Sequence, residues 1–330
     1  MKRITLERHQ VWLYLLAIGL GLATGHAAPG AAPALEAALW PVLALLLFAT
    51  FVQVPLLQLG PALRDRRFTM AVLAGNFVAM PLVAWALVEV LAQVQPDPAV
   101  RLGVLLVLLV PCTDWFITFT QLGRGDALRA TAITPLNLVL QLVLLPVYLW
   151  LMGGAATLPA WNWATLAPTL LVLLLPLAAA AVQQAWAIAS GLPARARHEA
   201  VREALAWAPV PLLALALFIV AATQWNAVWQ GLGVLPQVVP VFIAYLLAAA
   251  ALARALASWW NLPTEQGRTL AFTLGTRNSF VVLPLALALP AGWEAAAVVI
   301  VVQSLVELLA MVLWLKWVPQ HLFAPDSARL

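Results

Sequence analysis

Pro111-Cys112-Thr113-Asp114-Trp115-Phe116 stands in the middle of an apolar run over 100–121. Proline cannot continue a helix without removing a hydrogen bond. A helix broken inside a bilayer frees N–H and C=O groups that lipid cannot satisfy, so the break must line protein or water. A second stretch reads the same way: Gly275-Thr276-Arg277-Asn278-Ser279-Phe280 interrupts the run 268–289, with a Phe five residues after each breaker. Two interrupted spans in corresponding positions of two halves point to a binding site near the bilayer midplane.

Outward from these breaks the chain divides into ten apolar runs, at 11–27, 36–59, 68–92, 100–121, 131–153, 164–187, 207–223, 235–257, 268–289 and 294–317. Each is near the roughly 20 residues that a spanning helix needs. Of the 17 Lys and Arg residues, 15 fall in every second gap or at the termini: Lys2, Arg3, Arg8; Arg64, Arg66, Arg67; Arg124, Arg129; Arg195, Arg197, Arg202; Arg254, Arg268; Lys316, Arg329. Basic residues accumulate in cytoplasmic loops, so the expectation is a multi-pass protein of the cytoplasmic membrane with both termini inside. Ala27, Ala28, Ala31 and Ala32 after the first run imitate a cleavage site; an uncleaved first span keeps the halves matched.

The composition agrees, with 64% hydrophobic and 9% charged residues against about 45–50% and 25% in soluble domains. The net charge of +4 needs no nucleic-acid partner, because inner loops facing anionic lipid account for it. A single cysteine excludes an internal disulfide.

Ten spans split as five and five, 1–153 and 154–330. An odd number per half inverts the second half in the membrane, as in many secondary transporters. The expected fold is therefore an all-α polytopic membrane protein of two inverted five-helix repeats, with broken, crossing fourth and ninth helices. The spans after the breaks carry polar pairs at helical spacing, Asn137 with Gln141 and Gln303 with Glu307. Residues four apart share a helix face.

Only Asp114, Arg277 and Glu307 are charged well inside spans, and a charge at depth needs a partner or a function. Asp114 and Arg277 occupy neighbouring positions in the two breaks, which predicts an ion pair. Either it pins the crossing, or Arg277 contacts an oxygen-rich substrate with Asp114 as its resting partner. Glu307 has no obvious partner in the sequence and is the candidate for proton coupling, although a hydrogen bond to Gln303 is the plainer alternative. Cys112 directly follows a helix breaker, where a half-helix N-terminus favours a thiolate; otherwise it is a small buried hydrophobe. Asn76 and Asn278 are further polar candidates.

These residues carry a resemblance. Leu63-Arg64-Asp65-Arg66-Arg67, Asn76-Phe77 with Pro81, Pro111-Cys112-Thr113, Gly125-Asp126 followed by Asn137, and Val302-Gln303-Ser304-Leu305-Val306-Glu307 with Met311 resemble the arsenite-efflux permeases of the bile acid/sodium symporter superfamily. The resemblance implies broken, crossed fourth and ninth helices, a substrate-contacting cysteine and a glutamate in the last helix. It carries these roles to Cys112 and Glu307, with Asn137 and Asn278 as further site residues; Thr113 and Arg277, at the two breaks, complete the expected substrate site on the reading of the residues themselves. The chain departs from the family pattern at Asp114-Trp115 and at Arg277, where a Ser is usual. In the sodium-coupled branch the ninth span resembles a pattern with Glu and Gln as oxygen ligands; here those positions read Thr273 and Arg277, and a guanidinium opposes a sodium ion there.

The expected activity is export of arsenite, antimonite or a related metalloid oxyacid, with a proton as the coupling ion. The alternative is a carrier of a small organic anion with Arg277 as its clamp. An enzyme is not expected: His9, His26, His198 and His321 are expected in termini or loops, and neither paired aspartates nor a metal-ligand cluster lie within the spans. No cofactor or metal is called for, and the lipid bilayer is the partner surface.

Overall fold

The computed structural model describes residues 3–57, 64–113, 115–153, 163–190, 192–223, 225 and 232–324. Among them the structure is helical, and the one strand-like feature is an isolated antiparallel bridge between Pro111 and Arg277. The helices are α1 (Arg3–Ala27), α2 (Ala32–Gln53), α3 (Arg66–Ala92), α4 (Pro98–Leu108), α5 (Trp115–Leu122), α6 (Ala127–Met152) and α7 (Trp163–Ala189). There follow α8 (Leu192–Leu205), α9 (Pro209–Thr223), α10 (Leu235–Trp259), α11 (Thr264–Gly275), α12 (Ser279–Leu287) and α13 (Glu294–Trp317).

Five helices among the described residues are long and apolar enough to cross a membrane: Pro29–Gln53, Arg66–Ala92, Ala127–Met152, Leu235–Trp259 and Glu294–Leu322. The end of α8 and α9, bent by 43° at Ala206–Ala208, qualify together as a sixth. The sequence runs suggest ten, and for two of them the difference has a physical cause. The fourth and ninth runs are each cut into halves, of 11 and 8 residues and of 12 and 9. At about 1.5 Å per residue no half reaches across alone. The first and sixth runs lie on α1 and α7, helices of 25 and 27 residues. The histidines lie on helical turns rather than in loops: His9 and His26 on α1, His198 on α8, His321 on a closing π turn.

Many large apolar side chains face outward, Trp12, Val143, Trp150, Leu247 and Leu313 among them. Such a surface fits hydrocarbon and not water. This is a polytopic membrane protein.

Small residues let neighbouring helices close. A Cβ on Gly21 would lie 2.9 Å from the Cβ of Ala221 and would meet the Phe218 carbonyl, and one on Gly25 would meet the Ala222 carbonyl. Both glycines face α9, one turn apart, as interfacial small residues do in membranes. Gly103 serves the same purpose where α4 meets α13, since a Cβ there would sit 2.7 Å from the Ala296 carbonyl oxygen. α13 thus packs against both α4 and α12, one helix from each break.

One end of the bundle is held by polar bonds between segments far apart in sequence. Asp65 caps α3 by accepting from the Phe68 N–H at 3.2 Å, and Asp126 caps α6 by accepting from the Arg129 N–H at 3.0 Å. The Arg129 guanidinium pairs with both, 3.0 Å from Asp65 and 3.2 Å from Asp126. Gln266 on α11 donates to Asp65 at 2.9 Å, and the Asp126 N–H donates to Thr269 at 2.8 Å. Arg268 donates to the Phe323 carbonyl at 3.0 and 2.8 Å and to the Arg124 carbonyl at 3.1 Å. The capping aspartates follow from helix starts at those points. On α8, the Arg202 guanidinium pairs with Glu199 one turn before it.

Candidate functional site

The two breaks meet. The Cys112 N–H donates to the Thr276 carbonyl at 3.1 Å, and the Asn278 N–H donates to the Val110 carbonyl at 2.8 Å. Pro111 and Arg277 lie between these bonds as a pair that exchanges no N–H···O bond with each other. That is the antiparallel position where a residue without an N–H leaves nothing unsatisfied. Proline therefore both ends α4 and suits the crossing.

Side chains lock it. Asn278 donates from Nδ2 to Thr113 Oγ1 at 2.9 Å, while its Oδ1 accepts from the Val281 N–H at 3.3 Å and caps α12. One residue thus holds the fourth-run break and starts the helix after the ninth-run break. Thr276 returns its hydroxyl to the Phe272 carbonyl at 2.7 Å. Cys112 is buried at the crossing and carries no disulfide.

Arg277 is fully buried. Its Nη2 donates to Asn76 Oδ1 at 3.0 Å, the Thr273 carbonyl at 3.1 Å and the Leu274 carbonyl at 2.8 Å. Its Nη1 donates to the Leu108 carbonyl at 3.4 Å, and the guanidinium carbon lies 5.4 Å from the centre of the Tyr245 ring. Tyr245 gives its hydroxyl to the same Leu108 carbonyl at 2.9 Å. Asn76 reaches this point from a π turn, Gly75–Ala79, in the middle of α3. Such single turns concentrate at functional positions. Here the Phe77 carbonyl accepts from Tyr148 at 2.6 Å, and the Asn76 amide donates to Thr273 at 3.1 Å. The expected partner Asp114 lies outside the described residues.

Glu307 is tied in, contrary to its isolation in the sequence. Its Oε2 accepts from the Arg277 backbone N–H at 2.8 Å and from Gln303 Nε2 at 2.7 Å. Oε1 has no partner among the described residues. Gln303 accepts in turn from Ser279 at 3.4 Å, and Ser279 from Ser304 at 2.7 Å. A hydrogen-bonded chain therefore leads from α13 to the crossing. Asn137 and Gln141 are buried on α6 with both amide ends unpartnered among the described residues.

The crossing thus brings together Cys112, Thr113, Arg277, Asn278 and Glu307, with Asn76 behind the guanidinium. Among the described residues no hydrogen bond ties Asn137 to this group; with Gln141 it makes a buried polar face on α6. Sequence reading missed Tyr245, Ser279 and Ser304. A lone tyrosine in the apolar run of α10 is the signal that could have found the first.

The sequence model of the Sodium Bile acid symporter family matches residues 40–231. The match takes in the first break and stops short of Arg277 and Glu307. No curated protein matches the sequence. Since the match spans more than half of the chain, and the helical membrane architecture agrees with it, the chain belongs to the Sodium Bile acid symporter family, a family of membrane transporters.

Proposed function

We propose that this member exports arsenite, antimonite or a related metalloid oxyacid from the cytoplasm in exchange for protons. In this reading ten spans form two inverted repeats, 1–153 and 154–330, with both termini cytoplasmic. The bundle rocks about the crossing to expose it to each side in turn. The observation that carries the proposal is the position of Cys112: a buried sulfur on the crossing backbone, beside Thr113 and Asn278. Soft sulfur suits a soft trivalent metalloid, while hydroxyl and amide groups suit its oxygens. Asn137 and Gln141 add buried donors and acceptors on α6.

Glu307 supports the proton. Both hydrogen bonds to it fall on Oε2, so Oε1 can take or lose a proton without breaking either. The family match raises a second reading, a small organic anion clamped by Arg277. The guanidinium directs its terminal nitrogens at carbonyl and amide oxygens, which favours the metalloid.

The test is arsenite and antimonite accumulation in arsenite-sensitive cells expressing the parent protein, Cys112→Ser or Glu307→Gln at matched levels. The parent should lower accumulation, and both variants should return it to the vector level. Accumulation equal to the vector control with the parent protein sinks the reading and makes organic anions the next substrates to test.

A further inference from the structure

Arg277 heads the fully buried side chains by size among the described residues, and each group that its guanidinium meets has cation-binding character. Leu108 is the last residue of α4, and Thr273 and Leu274 belong to the last turn of α11. Carbonyls in a final helical turn lack intrahelical donors and form the negative end of the helix dipole. Two such ends converge here, joined by the amide oxygen of Asn76 and the face of Tyr245. Half-helix C-termini and unwound carbonyls are what transporters use to coordinate sodium at midplane sites. In this chain those oxygens are already served by a positive charge attached to the backbone.

We propose that the Arg277 guanidinium is a tethered replacement for a coupling cation: it takes the place between the ends of α4 and α11 that an alkali ion would occupy, and this member of a sodium symporter family works without sodium. A cation fixed to the chain stabilises the crossing but cannot be released down a gradient. The driving ion must then act elsewhere, and the nearest exchangeable group is Glu307, bonded to the Arg277 N–H. That last step rests on the proton antiport proposed above.

The test uses purified full-length protein and reads melting temperature in sodium or choline chloride at equal ionic strength, so it needs no transported substrate. The parent and Arg277→Lys should melt at the same temperature in either salt. Arg277→Ser should melt lower in choline and gain about 2–4 °C, saturably, as sodium replaces choline. A sodium-dependent rise in the parent or in Arg277→Lys overturns the proposal, and so does an Arg277→Ser protein that sodium does not stabilise. If Arg277→Ser cannot be purified, the sodium titrations of the parent and Arg277→Lys decide alone. In proteoliposomes, substrate flux by the parent should be the same with and without sodium. Absence of metalloid flux would count against the proposed substrate only, because the melting shifts stand apart from it.

Discussion

Asn278 shows how much one amide can hold. It joins the breaks through Thr113, starts α12 through the Val281 N–H, and pairs its own backbone with Val110. Asn278→Ala keeps the backbone bond and removes the other two. The lost cap and the Thr113 hydroxyl left without its donor should together cost about 1–3 kcal/mol. A lower melting temperature in detergent, with substrate flux cut at least tenfold, is expected. A variant with parental stability and flux would mean that the backbone bridge alone holds the crossing. Glu307 behaves differently: in Glu307→Gln an amide oxygen can still accept from the Arg277 N–H and Gln303, so the fold should survive while proton exchange is lost.

At the scale of elements, the breaks matter because of what presses on them. α13 lies against α4 through Gly103 and against α12 through Ser304 and Ser279, so the helix bearing Glu307 touches one helix from each break. α1 is held elsewhere, closely packed on α9. Gly21→Val places a branched side chain against the Phe218 carbonyl and Ala221, and overpacking of this kind costs about 1–3 kcal/mol. The variant should melt lower and lose monodispersity on size exclusion, while a second substitution, Gly19→Ala, should change neither, because nothing stands within 4 Å of a Cβ there. Equal stability for Gly21→Val and the parent would mean that α1 is not an integral part of the bundle.

For the whole molecule, charge distribution and tertiary bonds agree. Arg124 and Arg129 come from one gap between apolar runs and Arg268 from the border of another, yet they meet at one end of the bundle with Asp65, Asp126 and Phe323. Another set, Arg101 with Glu89 at 3.3 Å and Gln95 with Gln237 at 3.1 Å, lies in or beside the alternate gaps. With both termini inside, cysteines placed in a Cys112→Ser background give opposite results. Gln93→Cys should react with a membrane-impermeant thiol reagent in intact cells, and Ser258→Cys only after permeabilisation. The reverse pattern would invert the orientation and with it the direction of transport.

The membrane architecture, the two breaks and most of the residues at the crossing are legible in the sequence alone. Apolar runs, prolines and intramembrane charges are local signals with a bilayer reading of their own. Cys112, Thr113, Arg277, Asn278 and Glu307 are visible for that reason. Partners are not, because they come from residues about 30 to 200 positions apart: Glu307 with the Arg277 N–H, Arg277 with Leu108 and Asn76, Tyr245 with Leu108. Sequence identifies Arg277 as a charge that needs a reason. Only the crossing of two broken helices decides that its reason includes the carbonyl ends of both, since a helix end attracts a cation through where it points, and direction is a property of the fold.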